Sequence, residues 1–527
     1  MRAIQKWLFI VSIFCLCFSL VGCGENKTQQ VKKELVYAST KDIRDINPHL
    51  YGGEMAAQAM VFEPLVYDSK EGIKPGLAEK WEMSEDGLVY TFHIRQGIKF
   101  TDGEPLNAEA VKKNFDAVVA NKARHAWLDM INQIDHGEVV DEYTYKLVLK
   151  KPYYPTLQEL ALSRPFRIIS PKCFKDGETK NGVTGYAGTG PYILTEHKEK
   201  QYAIFTANQS YWGDKPKIET IKWQVMPDHQ TILLALQKGE IDLLFGADGD
   251  MIDLDSFAVL KKEGKYEAVM SEPIASRAIL INAHQPITSD RNVREAFQYI
   301  VNKEAIANGV LNGTETVADT LLSPTVPYCD VPLEKRVYDL EKAKQILDRI
   351  GWKVGEDGYR YKDGKKMTVT IYYNSNNAQE RTISEYMQSD MKVAGVDLQI
   401  VGEEKQAFLD RQKSGDFDLQ YSLSWGTPYD PQSYLSSWRI PAHGDYQAQI
   451  GMEKKAWLDD TIGKILVEFD KEKRQMMYQE VLTYIHNECV YLPLTYSRTK
   501  AVYSPALKGV GFNPSQYEIP FEKMYFE

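Results

Sequence analysis

Sulfur and paired imidazoles are scarce in this chain of 527 residues, which holds six cysteines and nine histidines. Cys15, Cys17 and Cys23 all lie within the first 23 residues, leaving Cys173, Cys329 and Cys489 for the body of the chain. Three cysteines so far apart form neither a disulfide framework nor a metal-ligand spacing, and they read as small hydrophobes. No two histidines stand as H-x-H, H-x-x-H or HExxH, so no complete local metal site is encoded, although distant histidines can still converge in space. A G-x-S-x-G nucleophile elbow is missing, as is a phosphate loop ending in Gly-Lys-Ser/Thr. The glycine-rich "GYAGTGPY" (185–192) runs into "YILTEH", a strand pattern, whereas a phosphate cradle needs a helix there. It reads as a turn. Positive charge is in deficit, with 63 Lys and Arg against 73 Asp and Glu, a formal net of −10. Without a basic stripe, nucleic acid is excluded as a partner. Past the N-terminus no apolar run is long enough to cross a bilayer.

What is present begins with "MRAIQKWLFIVSIFCLCFSLVGCG". Arg2 and Lys6 precede an apolar run from Trp7 to Val21, the pattern of a secretory leader, too short for a membrane span. Leu20-Val21-Gly22-Cys23 matches a bacterial lipobox, in which Cys23 becomes a lipidated N-terminus. The alternative is an ordinary leader with a chance cysteine; a small residue directly before Cys at the end of the run favours lipidation. "GENKTQQVKKE" then reads as a polar tether. Losing residues 1–22 moves the formal charge to −12.

A chain this long divides into more than one core. Strands and helices alternate throughout. "YTFHIR" (90–95) and "YKLVLK" (145–150) have strand periodicity. In "LNAEAVKKNFDAVVA", Asn107 caps a helix whose stripe is Val111, Phe115, Val118 and Val119. In "DLEKAKQILDRIGW", Asp339 caps, Leu340, Ala343, Leu347 and Ile350 form the stripe, and Gly351 stops the helix. "RIPAHGDYQAQIG" (439–451), flanked by proline and glycine, reads as a loop carrying one isolated imidazole, His443. With no repeats, the fold class is α/β or α+β with at least two lobes.

"LAEKWEMSEDGLVYTFHIRQGIKFTDGEPLNAEAVKKNFDAV" (77–119), "GTGPY" (188–192) and "NQSYWGDKPKIETI" (208–221) resemble the solute-binding proteins of peptide and nickel ABC importers, family 5. The resemblance spans essentially the whole mature chain. It implies a two-lobe α/β fold of the type II periplasmic-binding-protein kind, with an extra subdomain in the first lobe. The expected layout is a leader at 1–22, a lipidated N-terminus and tether at 23–34, a first lobe at 35–273 plus 497–527, and a second lobe at 274–496. It further implies a monomeric receptor on the extracytoplasmic face, of Gram-positive type given the lipobox and tether, serving a permease and an ATPase. No covalent chemistry is expected.

The resemblance also bears on the ligand. Peptide binders of this family carry Trp-Ala-Asp-Tyr, whose aspartate anchors the peptide's ammonium group. Here "SWGTPYDP" puts Pro428 at the acidic position, with Asp430 only after Tyr429. The same stretch resembles the nickel-binding branch, Trp-Gly-x-Pro-Tyr-Asp-Pro. That branch implies ligand-binding roles for Trp127 in "RHAWLDM", Arg164 in "LALSRPFR", Tyr51 and Met55 in "NPHLYGGEM", and Trp425 and Tyr429. It makes His443 the protein's single metal ligand. One histidine cannot hold nickel tightly, but it can complete the sphere of nickel already chelated by a small metallophore, such as L-histidine or an opine-type amino acid. Arg164 offers a planar fork for a carboxylate. Metal affinity alone favours copper, so selection falls to the shape and charge of the chelate.

Blander readings stand beside these. On spacing alone His443 is a surface-loop residue, and only the surrounding match reverses that. Arg164 could serve a structural ion pair, a role assigned instead to Arg167. Trp127 could be core, His125 is expected to be solvated, Trp425 and Tyr429 could pack a hinge, and Met55 is the weakest member. Glu403 and Glu404 in "VGEEKQ" read as solvated acids. The rival functions are a di- or oligopeptide receptor on the same scaffold and a metal-assisted hydrolase, the latter opposed by the single candidate ligand. A Cys23→Ala chain is expected to lose palmitate labelling and leave the membrane fraction; retained label would refute the lipobox reading.

Overall fold

The computed structural model describes residues 32–246 and 252–527. Leader, Cys23 and all but the end of the tether lie outside the described residues. Two mixed sheets organise the rest. The first has seven strands, in the order Tyr192–Lys198, Tyr202–Ala207, Thr220–Val225, Glu34–Ser39, Leu243–Gly246, Lys500–Tyr503, Glu267–Met270. The second has six: Thr316–Val317, Tyr491–Ser497, Ala275–Ile281, Leu419–Leu423, Thr368–Asn374, Asp397–Glu403. Every residue of Ala275–Ile281 and Tyr491–Ser497 is buried, as expected for inner strands covered on both faces. The architecture is the two-lobe α/β fold expected above.

The chain passes between the sheets only at two short links. It leaves the first sheet after Met270 and enters the second at Ala275, then leaves at Ser497 and returns at Lys500. The links bond to each other. Ser271 N donates to Thr499 O (2.9 Å), Thr499 N to Ser271 Oγ (3.0 Å), and Ile274 N to Ser497 O (2.9 Å).

A four-stranded antiparallel sheet, Ala78–Met83, Val89–Ile94, Thr144–Leu149, Ile134–Asp141, forms an inserted layer. Val89–Ile94 and Thr144–Leu149 alternate between buried and half-buried positions, with one face turned inward. The helix Ala108–Ala120 covers that face, capped by Asn107, whose side chain accepts from Ala110 N at 2.9 Å. Val111, Phe115 and Val118 are buried as the periodicity predicts, and Val119 packs against them half-buried. The helix Leu340–Arg349 is capped by Asp339, and Gly351 follows with φ 92°. Its buried stripe is Ala343, Ile346 and Leu347, while Leu340 and Ile350 are half-buried, so the stripe is rotated toward Ile346. Cys173, Cys329 and Cys489 are free and buried.

Away from the links the two lobes also meet. Tyr154 and Tyr478 hydroxyls lie 2.6 Å apart, Arg439 pairs with Asp129 at 2.6 Å, and Ser433 Oγ donates to Glu159 Oε1 at 2.9 Å. Glu159 is 1 % exposed and also accepts from Tyr153 OH (2.8 Å) and Met130 N (3.3 Å). Burial raises its carboxyl from 4.5 to about 8, against the pull of the Tyr153 and Ser433 hydrogen bonds. Below about 4.5 the folded and unfolded chains both carry that proton; between there and about 8 only the unfolded chain releases it. Stability should therefore decline as pH rises through this window. Thermal melts from pH 5 to 8 are expected to fall less steeply for Glu159→Gln than for the wild type; identical slopes would contradict the assignment.

Candidate functional site

Second-lobe side chains reach the seam from a turn that satisfies itself. The strand Leu419–Leu423 runs into Trp425-Gly426, where Gly426 takes φ 75°. Asp430, 2 % exposed, folds back into this turn. Its carboxylate accepts from Ser424 Oγ (2.6 Å), Gly426 N (3.0 Å) and Trp425 N (3.2 Å). Burial raises the carboxyl to about 6, while the same three bonds favour the charged form. Turned outward by this arrangement, Trp425 and Tyr429 meet edge to face with ring centres 6.1 Å apart. His443 lies 6.1 Å from the Trp425 ring. It sits in the turn expected for it, but Gly444–Gln449 is a short helix and not loop; His443 is its N-cap residue, and Asp445 lies in the first turn.

The His443 ring has no hydrogen-bond partner among the described residues, and the residue is half-buried. Burial lowers its proton affinity, with the nearby Asp445 pulling the other way. The imidazole is thereby biased neutral, the form that donates a lone pair to a metal.

The first-lobe wall is a hydrogen-bonded chain. Trp127 Nε1 donates to Tyr51 OH at 2.6 Å, and Tyr51 OH lies 2.6 Å from His125 Nδ1. Because the hydroxyl already accepts from Trp127, it donates to Nδ1, which places the His125 proton on Nε2. His125 is 0 % exposed, and burial lowers it to about 4. The expectation of a solvated His125 is therefore corrected: a partner far away in sequence, Tyr51, draws it inward. Above Tyr51 stand two guanidinium groups, Arg164 at 4.8 Å and Arg124 at 5.7 Å from the ring centre. Arg164 Nη1 donates to Gly53 O at 3.1 Å, and Arg164 makes no ion pair among the described residues. Burial lowers its proton affinity, opposed by Tyr429 and Tyr51. Met55 opens the helix Met55–Val61 and lines the same cavity as Arg164, about 410 Å³ in volume.

Across the seam the two walls touch. Trp127 meets Trp425 edge-on at 5.5 Å and Tyr429 at 6.3 Å. Tyr51, Trp127, Arg164, Trp425, Tyr429 and His443 thus form one neighbourhood, with Met55 at its border. Arg167 stands apart, ion-paired with Glu518 and donating to Phe62 O at 2.8 Å. Glu403 and Glu404 are not simply solvated: Glu403 pairs with Arg411 at 2.6 Å, and Glu404 caps the helix Lys405–Ser414 through Gln406 N at 2.8 Å. Arg124 escaped the sequence reading, although it lies three residues before Trp127.

Two α/β lobes joined by paired links, with an aromatic and cationic seam between them, define a two-lobed solute-binding protein. The family model "Bacterial extracellular solute-binding proteins, family 5 Middle" matches residues 72–446. This chain belongs to that family. It is 41% identical over 512 residues to the nickel-binding periplasmic protein of Escherichia coli K12, covering 96% of this chain and 97% of that one. NikA from Brucella suis, crystallised with Fe(III)-EDTA, superposes with a TM-score of 0.92 at 42% identity over 94% of this chain and all of that one. NikZ from Campylobacter jejuni, crystallised with Ni(L-His), gives 0.78 at 25% identity over 94% and 99%. These relatives are solute-binding proteins, not enzymes, of an extracytoplasmic family. Among the described residues no helix is long and apolar enough to cross a membrane.

Tyr51→Phe removes both the acceptor of Trp127 and the donor to His125, leaving buried polar atoms unpaired. A loss of about 1–3 kcal/mol is expected, read by urea denaturation. An unchanged midpoint would show that the chain of bonds carries no stability.

Proposed function

We propose that this chain is a lipid-anchored receptor of an ABC importer, capturing nickel(II) as a chelate with a small metallophore and passing it to a permease. One observation carries the reading: a single half-buried imidazole, without a hydrogen-bond partner among the described residues, stands across an aromatic seam from an arginine that makes no ion pair among them. Among the described residues no group of three or more His, Cys, Asp or Glu could hold a metal ion. On this reading the remaining donors come with the metal. Carboxylates of the chelator meet Arg164, with Arg124 on the rim beyond Tyr51 as a second cation. Trp127, Trp425 and Tyr429 exclude water and strengthen that pairing. Contacts to both walls at once favour the closed arrangement, the form a permease would read. The names of the two nickel-binding relatives point the same way.

A peptide ligand needs an acid for its ammonium group, and Asp430 is already engaged by Ser424, Trp425 and Gly426. Burying that ammonium group without a partner costs several kcal/mol.

Native mass spectrometry of the mature chain with nickel, with and without L-histidine, tests the reading. A ternary complex is expected, and it should vanish in His443→Ala. Equal binding of bare nickel, or tight binding of metal-free peptides, would overturn the proposal.

A further inference from the structure

Three tyrosines and an arginine meet where the inserted layer touches the second lobe, and none of them belongs to the candidate site. Tyr154 follows the strand Thr144–Leu149 of the four-stranded sheet. Tyr328, Arg474 and Tyr478 come from the other side, the last two on the helix Lys471–Glu488 that leads into the inner strand Tyr491–Ser497. Arg474 is 8 % exposed and makes no ion pair among the described residues. Its Nε and Nη2 donate to Tyr328 OH at 3.1 and 2.7 Å, and its Nη1 donates to Glu468 O at 2.5 Å. The guanidinium carbon then stands 4.1 Å from the centre of the Tyr154 ring. Tyr328 stacks on Tyr478 with ring centres 5.0 Å apart, and the Tyr478 hydroxyl meets that of Tyr154 at 2.6 Å.

Backbone and turn contacts flank the rings. Tyr154 N donates to Leu466 O at 3.0 Å, a main-chain bond from one lobe to the other. Phe469 packs on Gly87, in the bend between the strands Ala78–Met83 and Val89–Ile94; a Cβ at Gly87 would come within 2.9 Å of that ring.

Two features set this cluster apart from ordinary packing. Tyr328 holds a φ of 68°, a left-handed backbone that bulky side chains rarely adopt and that persists where surrounding contacts over-determine it. A buried guanidinium without a carboxylate is also costly to keep unless its donors and its face are occupied. For Arg474 one such occupant, the Tyr154 ring, is supplied by the opposite lobe. Separating the lobes would uncover that face, part the two hydroxyls and free the Tyr154 amide together. Water can replace each contact, so the cluster can break and re-form as a unit.

We infer that this cluster is a clasp: it holds the lobes together through protein contacts alone, so that closure is favoured before any solute bridges the two walls. A solute then enters through transient opening of the clasp, and its own contacts add to a closure already favoured. Tyr154, Arg474 and Tyr478 are positioning residues on this account, since they set how closely the two walls approach without touching the guest. The inference stands whatever the cargo is.

Amide hydrogen exchange on the mature chain without added solute tests it. Pro152 and Pro155 have no amide, so the stretch "PYYP" (152–155) reports Tyr153 and Tyr154 alone, and electron-transfer fragmentation separates the two. The Tyr154 amide is expected to exchange about a hundred-fold more slowly than in an unstructured peptide of the same sequence. Tyr478→Phe removes the hydroxyl contact, and Phe469→Ala removes the ring over Gly87 at a half-exposed position. Each should speed Tyr154 exchange about three- to ten-fold, while Val118 in the helix Ala108–Ala120 and Ile279 in the strand Ala275–Ile281 keep their protection. Exchange of Tyr154 at the unstructured rate in the wild type, or exchange that neither variant alters, overturns the inference. Losses shared by Val118 and Ile279 in both variants would mark general unfolding in place of a clasp, and would overturn it as well.

Discussion

Everything at the seam depends on two short links that bond to each other. Tyr51, Trp127 and Arg164 belong to one side of the molecule, Trp425, Tyr429 and His443 to the other. Ser271–Ile274 and Ser497–Thr499 are the covalent connections between the two sides, and contacts such as Arg439–Asp129 and Ser433–Glu159 add to them across the seam. Paired extended backbone is stiff along its length yet tolerant of twist, so the lobes can move as bodies without their walls deforming. Each wall is braced internally, by Asp430 in one and by the Trp127–Tyr51–His125 chain in the other.

Burial sets the electrical character of the site. It lowers the proton affinity of His443, His125 and Arg164 and raises that of Tyr51, always against the charged form. The imidazoles are consequently neutral, while the guanidinium groups keep their charge because no accessible pH removes it. A neutral donor and a fixed cation, separated by indole and phenol rings, are the features on which the proposed chelate reading rests. The acidic remainder of the protein, net −10, makes this positive interior all the more local, since exposed charges beyond a Debye length are screened.

Local grammar was legible in the sequence. Asn107 and Asp339 cap the helices predicted for them, and the alternation in 90–95 and 145–150 marks strands with one inward face. Six of the candidate residues that the resemblance named also lie in one neighbourhood, although nearly 400 positions separate Tyr51 from His443. What escaped depends on tertiary partners that no short window contains. His125 is buried because Tyr51 binds it, Glu403 is neutralised by Arg411, and Arg124 lies over a ring supplied from residue 51. The helix Gly444–Gln449 was hidden by its flanking Pro441 and Gly451, which read as loop punctuation although they only bound a short element.

The self-satisfied turn at Asp430 has a consequence for how such receptors diverge. An acid lies within two positions of where peptide-binding relatives keep theirs, but its oxygens hold three local donors in place. Freeing it would strand the hydroxyl of Ser424 and two backbone amides, and would let go of the indole they orient. Exchanging one cargo for another by way of this residue is therefore a matter of rebuilding the turn that joins the strand Leu419–Leu423 to the helix Gln432–Ser437.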